Sequence, residues 1–479
     1  MCTESSLYWL HTNNHVPTTM KTICLRSRLH TANLFAILIA FMSLGTSADT
    51  CWAQNAEQAA QTRMVLVRAG HLVDAATGTA TPNQDILIER NDRTGRGVIQ
   101  AIGRNLDVPP GTEVIDLSDH YVTGGLVDAH DHLAITYKEE PESNQYYFTT
   151  LMDSTPIRAI QAFSTGFQKL ASGFTIVRDL GNNGLYADTA LRHAIEQGWV
   201  PGPTIINAGI IIGAFGGQFF EIPEREDTVY PEYLNADTDD EIVKAIRRNI
   251  HYGAKVVKVC VDCQAYPYTT EQLELFVSEA ANAGRKVSGH VQTREGARRA
   301  IEAGLWSLDH DNALDEELHA MMAEKGIWRV GTETPKTEWA RTSDARWERR
   351  LAMLRDAYDQ GVKLAFSTDA DYFIRGLDRG ELTLEFIETW KAAGIPDADI
   401  LKVMTTNGYE ISELENERGP VREGFMADLI AMRGNPLEDI DALYDVDFVM
   451  KDGLVFKHDG VVAPMDFFHN GPAYGWRVR

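Results

Sequence analysis

Residues 121–132 read Y-V-T-G-G-L-V-D-A-H-D-H, an apolar run that ends in two histidines one residue apart. Side chains of an extended strand alternate between its faces, so His130 and His132 point the same way and can grip one metal ion. A lone His-x-His pair is a weak signal, and unrelated core or surface histidines are the commoner reading. Later parts of the chain change that weighting.

Downstream of this stretch, strand-like and helix-like segments alternate. Apolar runs at 122–129, 175–178, 204–212, 255–261, 286–289, 306–308, 328–331 and 363–367 predict eight strands. Helical patterns lie between most of them, at 241–251, 270–283 with Thr269 as cap, 293–303, 315–325, 343–360 and 382–393. Eight such units fit a (β/α)8 TIM barrel better than an open doubly wound sheet.

In a barrel of this kind chemistry gathers at the C-terminal strand ends. His130 and His132 close the first strand, Lys258 lies on the fourth, His290 closes the fifth, His310 the sixth and Asp369 the eighth. Period-2 alternation puts Lys255 on the face opposite Lys258. Each residue has an ordinary reading: a lysine can snorkel, a histidine can be satisfied in a core, an aspartate can cap a helix. Six polar residues at one rim, all ending apolar strands, are hard to obtain that way.

Both ends of the chain are β-rich, at 64–73 and 85–88 and again at 427–432, 446–451 and 453–457. They predict a small β-sandwich built from 54–121 and 419–479, flanking a catalytic barrel at 122–418. Residues 1–53 read as a leader. Met20 is a natural start, followed by Lys21, Arg26 and Arg28, then the apolar run 34–44 and small residues that suit cleavage after Ala48 or Ala53. That run is too short to span a bilayer comfortably, so the expectation is a periplasmic or secreted protein with no stable membrane anchor.

The formal charge is −24, and it becomes one unit more negative without the leader. So acidic a chain, with no basic run, repels nucleic acid and anionic lipid. Three of the five cysteines fall in the leader, leaving the C-x-x-C pair Cys260 and Cys263. With no second pair to complete a structural zinc site, a pocket-lining or buried role fits better than redox chemistry. The glycine-rich stretch 213–220, G-A-F-G-G-Q-F-F, lacks the order of a nucleotide cradle and reads as a rim loop carrying Phe219 and Phe220.

Several pieces, taken jointly and in order, resemble the amidohydrolase superfamily, in particular its prolidase and imidazolonepropionase-like branch, which includes ochratoxin-degrading amidases. They are G-G-L-V-D-A-H-D-H at 124–132, G-F-T-I-V-R-D-L-G at 173–181, G-A-K-V-V-K-V at 253–259, A-G-R-K-V-S-G-H at 283–290, A-I-E-A-G-L-W-S-L-D-H at 300–310, F-S-T-D-A at 366–370 and G-F-M-A-D-L-I at 424–430. The resemblance implies two divalent metal ions. His130, His132 and Asp369 would hold the buried one, His290 and His310 the outer one, and Lys258 would bridge them as a carbamate formed with CO2. Zinc suits imidazole and carboxylate ligands, while manganese, cobalt and iron are tolerated.

The resemblance further implies hydrolysis of a C–N amide bond in a small-molecule substrate by a hydroxide that bridges the metals. Asp369 would take the proton and return it to the departing amine. N-acyl amino acids or dipeptide-like amides are the expected substrates. The alternative is a cyclic amide, lactone, carbamate or urea; a non-catalytic binding protein on the same fold is disfavoured because all six ligand candidates are present. Members of the family often assemble, so a homo-oligomer is expected. Departures from the family pattern fall where substrate should bind: C-V-D-C-Q-A-Y-P-Y after Lys258, G-H at 289–290, D-H-D at 309–311 and G-T-E-T-P-K-T-E-W at 331–339. They nominate Cys260, Tyr266, Tyr268 and Lys336, with Trp339, as substrate contacts.

Overall fold

The structure, a computed structural model, describes residues 62–91, 95–135, 153–219, 232–337, 340, 342–371 and 374–463. The leader at 1–53 with its start at Met20, and the rim residues Phe220 and Trp339, lie outside the described residues.

Four strands come first: β1 (Thr62–Asp74), β2 (Thr79–Asn91), β3 (Arg96–Gly103) and β4 (Glu113–Gly124). One residue later β5 (Leu126–Asp131) begins in a different sheet. The apolar run at 122–129 therefore belongs to two strands rather than the one expected from its pattern. Gly125 is the crossing point. A Cβ there would run into the side chain of Thr175, so any larger residue would push the strands apart.

β5 pairs in parallel with β6 (Phe174–Asp179), and β6 with β7 (Thr204–Asn207). A second parallel sheet holds β8 (Ile211–Gly213), β9 (Tyr233–Asn235), β10 (Val257–Cys260), β11 (Val287–His290), β12 (Ser307–Asp309), β13 (Trp328–Val330) and β14 (Lys363–Leu364). Its order is β14-β13-β12-β11-β10-β8-β9, with β9 an edge strand that the sequence pattern did not suggest. Strand pairing does not join these sheets into one closed barrel. Backbone bonds nevertheless span both seams, from Lys255 N to Asn207 O at 2.7 Å and from Ala129 N to Phe366 O at 2.9 Å.

Helices α1 (Thr155–Ala171), α2 (Ala187–Glu196), α3 (Asp239–His251), α4 (Thr270–Asn282), α5 (Arg294–Ala303), α6 (Glu316–Lys325) and α7 (Asp344–Asp359) alternate with the parallel strands. Thr238 and Thr269 open α3 and α4 with capping boxes, and the side chains of Thr293, Asp315 and Ser343 cap the next three. The segment expected as one helix at 382–393 is broken into α8 (Arg379–Leu384) and α9 (Ile387–Ala392), and α10 (Asp397–Met404) and α11 (Thr406–Ile411) follow. Among the described residues no helix is long and apolar enough to cross a membrane.

The chain ends in β15 (Leu429–Met432), β16 (Phe448–Lys451), β17 (Leu454–His458) and β18 (Val461–Val462). These join the first four strands in one sheet of order β18-β17-β16-β15-β4-β1-β2-β3. Instead of the two stacked sheets of the expected sandwich, a single sheet curls round its own core. Bulges in the β1–β4, β2–β3 and β16–β17 pairings add bend. The β3 edge folds back onto the C-terminal strands through Gly97 N, which donates to Asp452 O at 2.7 Å in the turn after β16, and Ile99 N, which donates to Phe425 O ahead of β15. Alternate residues of β15 and β16 serve two cores. Leu429, Ala431, Phe448 and Met450 join Val65, Val67, Ile86 and Ile115 inside the curl, while Ile430, Met432 and Val449 pack with Leu170, Phe174 and the α/β part.

Candidate metal centre

Six side chains from five strand ends of the parallel sheets meet in one cavity of about 310 Å³. His130, His132, Lys258, His290, His310 and Asp369 line it, together with Asn182, Ile211, Gln218, Cys260, Gln292 and Asp371. His130 and His132 stand at the end of β5, and their Nε2 atoms are 3.3 Å apart. Asp369 Oδ1 lies 2.7 Å from His132 Nε2 and 3.3 Å from His130 Nε2. Across the cavity His310 Nε2 is 2.7 Å from His290 Nδ1.

Each pair is close enough for an N–H of one ring to meet the lone pair of the other, and the same convergence of ring nitrogens would let a cation be held by both lone pairs at once. Among the described residues His130, His132 and Asp369 form a group whose ligand atoms all lie within 4.8 Å of one another. His130 Nδ1 is buried with no hydrogen-bond partner, a further sign of a donor set made for something besides protein. The tautomers are set from outside. His132 Nδ1 donates to Gly181 O at 2.9 Å and His310 Nδ1 meets Thr332 Oγ1 at 3.2 Å, which leaves each Nε2 turned inward.

Electrostatics favour ligation. Burial, reinforced by the positive charge of Lys258, holds His130 well below the usual imidazole range, and burial beside His310 does the same to His290. Burial also lowers His310, against the pull of Asp369. Neutral imidazole is the form that binds metal. His132 differs: burial pushes it down, but the hydrogen bond and charge of Asp369 outweigh that and raise it to about 9. Burial lowers the Lys258 ammonium despite the attraction of Asp309, its ion-pair partner.

Two backbone features mark the same rim. His310 and Asp369 hold left-handed φ angles of 74° and 55°, a conformation that non-glycine residues adopt at a cost and that clusters at functional sites. Asp369 N also donates to His130 O at 2.7 Å, so the two candidate ligands are tied through the main chain.

Of the nominated substrate contacts among the described residues, Cys260 alone lines the cavity. It is disulfide-bonded to Cys263, so neither offers a free thiolate to the nearby His290. Tyr268 is instead a core residue, 2% exposed, with its ring against Phe276 and its hydroxyl donating to Ala236 O at 2.7 Å. Tyr266 is exposed and donates to Phe215 O at 2.8 Å, and Lys336 pairs with Asp344 at 2.6 Å. None of these three lines the cavity, each side chain being held by a partner within the protein. Gln218 and Gln292, each beside His290 Nε2 at 3.2 and 2.9 Å, were not anticipated. Asp309 was visible as a letter of the motifs that end at His310 and Asp311, with no role assigned to it.

Residues 121–455 match the model of the amidohydrolase family. Ochratoxinase of Aspergillus niger is 27% identical over 448 residues, which cover 84% of this chain and 88% of that protein. Its crystal structure superposes with a TM-score of 0.69 at 25% identity, covering 86% of this chain and 98% of that one. A Xaa-Pro dipeptidase with methionine bound in its active site superposes with a TM-score of 0.70 at 28% identity, covering 82% and 100%.

Proposed function

This chain belongs to the amidohydrolase family, which makes it a hydrolase acting on carbon–nitrogen bonds, and from that premise we propose that it cleaves N-acyl amino acids or dipeptide-like amides with the help of two divalent metal ions. The observation that carries this reading is the convergence of four histidines, Lys258 and Asp369 on one cavity. Full-length similarity to a Xaa-Pro dipeptidase and near full-length similarity to an ochratoxinase support the substrate class. The backbone bonds across both seams support reading the two parallel sheets as one eight-stranded barrel, with β7 and β8 as one interrupted strand and β9 outside it, and the curled sheet as a second domain made from both ends of the chain. The signal-like leader supports a periplasmic or secreted location.

His130, His132 and Asp369 would hold one ion and His290 and His310 the other, with Lys258 between them. When bound, the ions would supply Lewis acidity for the scissile carbonyl and a lowered pKa for water. Zinc fits the donor types. The depressed ammonium of Lys258 leaves more neutral amine, which forms an N–C bond to CO2 with release of one proton; the carbamate so made would replace the ion pair with Asp309. The surrounding histidines, with the hydrogen bond from His132, and the charge of Lys258 outweigh burial and hold the Asp369 carboxyl below its ordinary value. It is thus ready to accept a proton at Oδ1 and to pass it to the departing amine. Gln218 and Gln292 flank the side of the cavity where a substrate carboxylate or amide would lie.

The test is amine release from a panel of dipeptides and N-acyl amino acids by the zinc-loaded protein. Asp369→Asn and Lys258→Ala should each lower kcat by about 10²–10⁴-fold while the fold is retained. Unchanged kcat in either variant removes the mechanism. Silence of the wild type across the panel, with two metals per chain measured, removes the substrate class and points to cyclic amides, lactones, carbamates or ureas.

A further inference from the structure

A second cavity, of about 470 Å³, opens at the opposite end of the parallel strands. Its walls come from residues that precede β10 and β11, such as Lys255, Arg285 and Lys286, from the start of β7, and from the turn that follows α11 around Glu413. Eight of its lining residues are Lys or Arg and four are Asp or Glu. In a chain of net charge −24 this is a marked local reversal of sign. Most of these cations have partners: Arg192 pairs with Glu196, Arg418 and Lys451 with Asp428, Arg96 lies 3.6 Å from Glu417 and Lys286 3.8 Å from Glu413.

Arg178 differs. It lines this cavity from β6 and is 1% exposed, and only Nη1 is engaged, donating to Ala129 O at 3.1 Å. Nε and Nη2 are buried without a hydrogen-bond partner. A guanidinium carries five N–H donors in a planar fork, and leaving part of that fork unmet inside a protein is costly. Asp309 and Glu413 act on it through space, which is weaker than a bidentate contact. The side chain of Arg285, also on the wall, donates among the described residues only to the carbonyls of Ala254 and Gly284.

We propose that this cavity is a binding site for a small oxyanion, a phosphate or a carboxylate, seated on the open fork of Arg178 with Arg285 on the wall. The site is separate from the candidate metal centre, because it lies at the other end of the strands. It is nevertheless connected to it, since the carbonyl that Arg178 grips belongs to Ala129, the residue before His130. This inference needs only the cavity and its charges, and it stands whatever the enzyme hydrolyses.

The experiment is thermal unfolding and calorimetric titration of the metal-loaded full chain with inorganic phosphate and with succinate, against sodium chloride of equal ionic strength. At least one of the two oxyanions should raise Tm and bind saturably where chloride does not. Arg285→Gln should weaken that binding about tenfold or more, the loss of one charge-assisted contact. An oxyanion held at the metals would be indifferent to Arg285, so undiminished binding in this variant overturns the proposal. Equal shifts with chloride, or no saturable binding of either oxyanion, overturn it too. Arg178→Lys, which keeps the charge and loses the fork, should weaken binding as well; if that variant does not fold, Arg285→Gln decides alone.

Discussion

Lys169 Nζ lies 2.5 Å from Asp128 Oδ2, and neither side chain is exposed to solvent. The same ammonium is 2.8 Å from Asp131, between the two histidines of β5. Asp128 in turn accepts from His130 N at 3.1 Å, Thr368 N at 3.2 Å and Thr368 Oγ1 at 2.7 Å. One buried carboxylate thus ties the backbone that carries His130 to the backbone that carries Asp369, and one lysine of α1 balances its charge.

Removal of that lysine should be severe. Lys169→Met leaves Asp128 buried without its cation and Asp131 with only Arg379, 3.5 Å away, and should cost about 3–5 kcal/mol of stability in denaturant unfolding. Metal bound per chain should fall in parallel, because His130 and Asp369 lose their common anchor. Adding Asp128→Asn to Lys169→Met should recover part of the stability. No recovery would mean that the lysine acts through packing alone.

Gly125→Ala tests the strand crossing. The new methyl would collide with Oγ1 and Cγ2 of Thr175, so the two sheets must part. A loss of about 1–3 kcal/mol is expected, of the size seen when extra carbon is forced into a packed core. Thr175→Ala in the same chain should return some of it.

Tyr268→Phe distinguishes a core tyrosine from a substrate contact. The change removes a hydroxyl that donates to Ala236 O at 2.7 Å and should cost about 0.5–1.5 kcal/mol of stability. KM for the best amide of the panel should stay as in the wild type. A raised KM with unchanged stability would return Tyr268 to the substrate pocket.

Glu295 offers a pH test away from the metals. Hydrogen bonds from Arg298 and Arg299 hold its carboxyl down to about 2 from an ordinary 4.5. A depressed carboxylate adds stability above its ordinary pKa and loses it as pH falls toward the folded value. The Tm advantage of wild type over Glu295→Gln should therefore be present at pH 7 and shrink progressively below about 4.5. This is a surface cluster, so the effect should be small and fall with added salt. A difference independent of pH would show that the ion pairs contribute nothing.

Local order was legible in the chain: the alternation of apolar runs with helical segments, the cap at Thr269, and the placing of His130, His132, Lys258, His290, His310 and Asp369 at strand ends. These come from periodicity, hydrogen-bonding side chains and alternation along a strand, which act over a few residues. The chain does not itself show that the run at 121–132 breaks at Gly125, since that depends on Thr175 packing against it from another strand. Nor does it show that β15–β18 complete one curled sheet, that Tyr268 turns into the core, or that Asp128 is balanced by Lys169. Each of these depends on a neighbour far away in sequence. The two cavities are decided in the same way: which polar atoms converge, and which, like the fork of Arg178, are left unmet, is set only when distant strands are brought side by side.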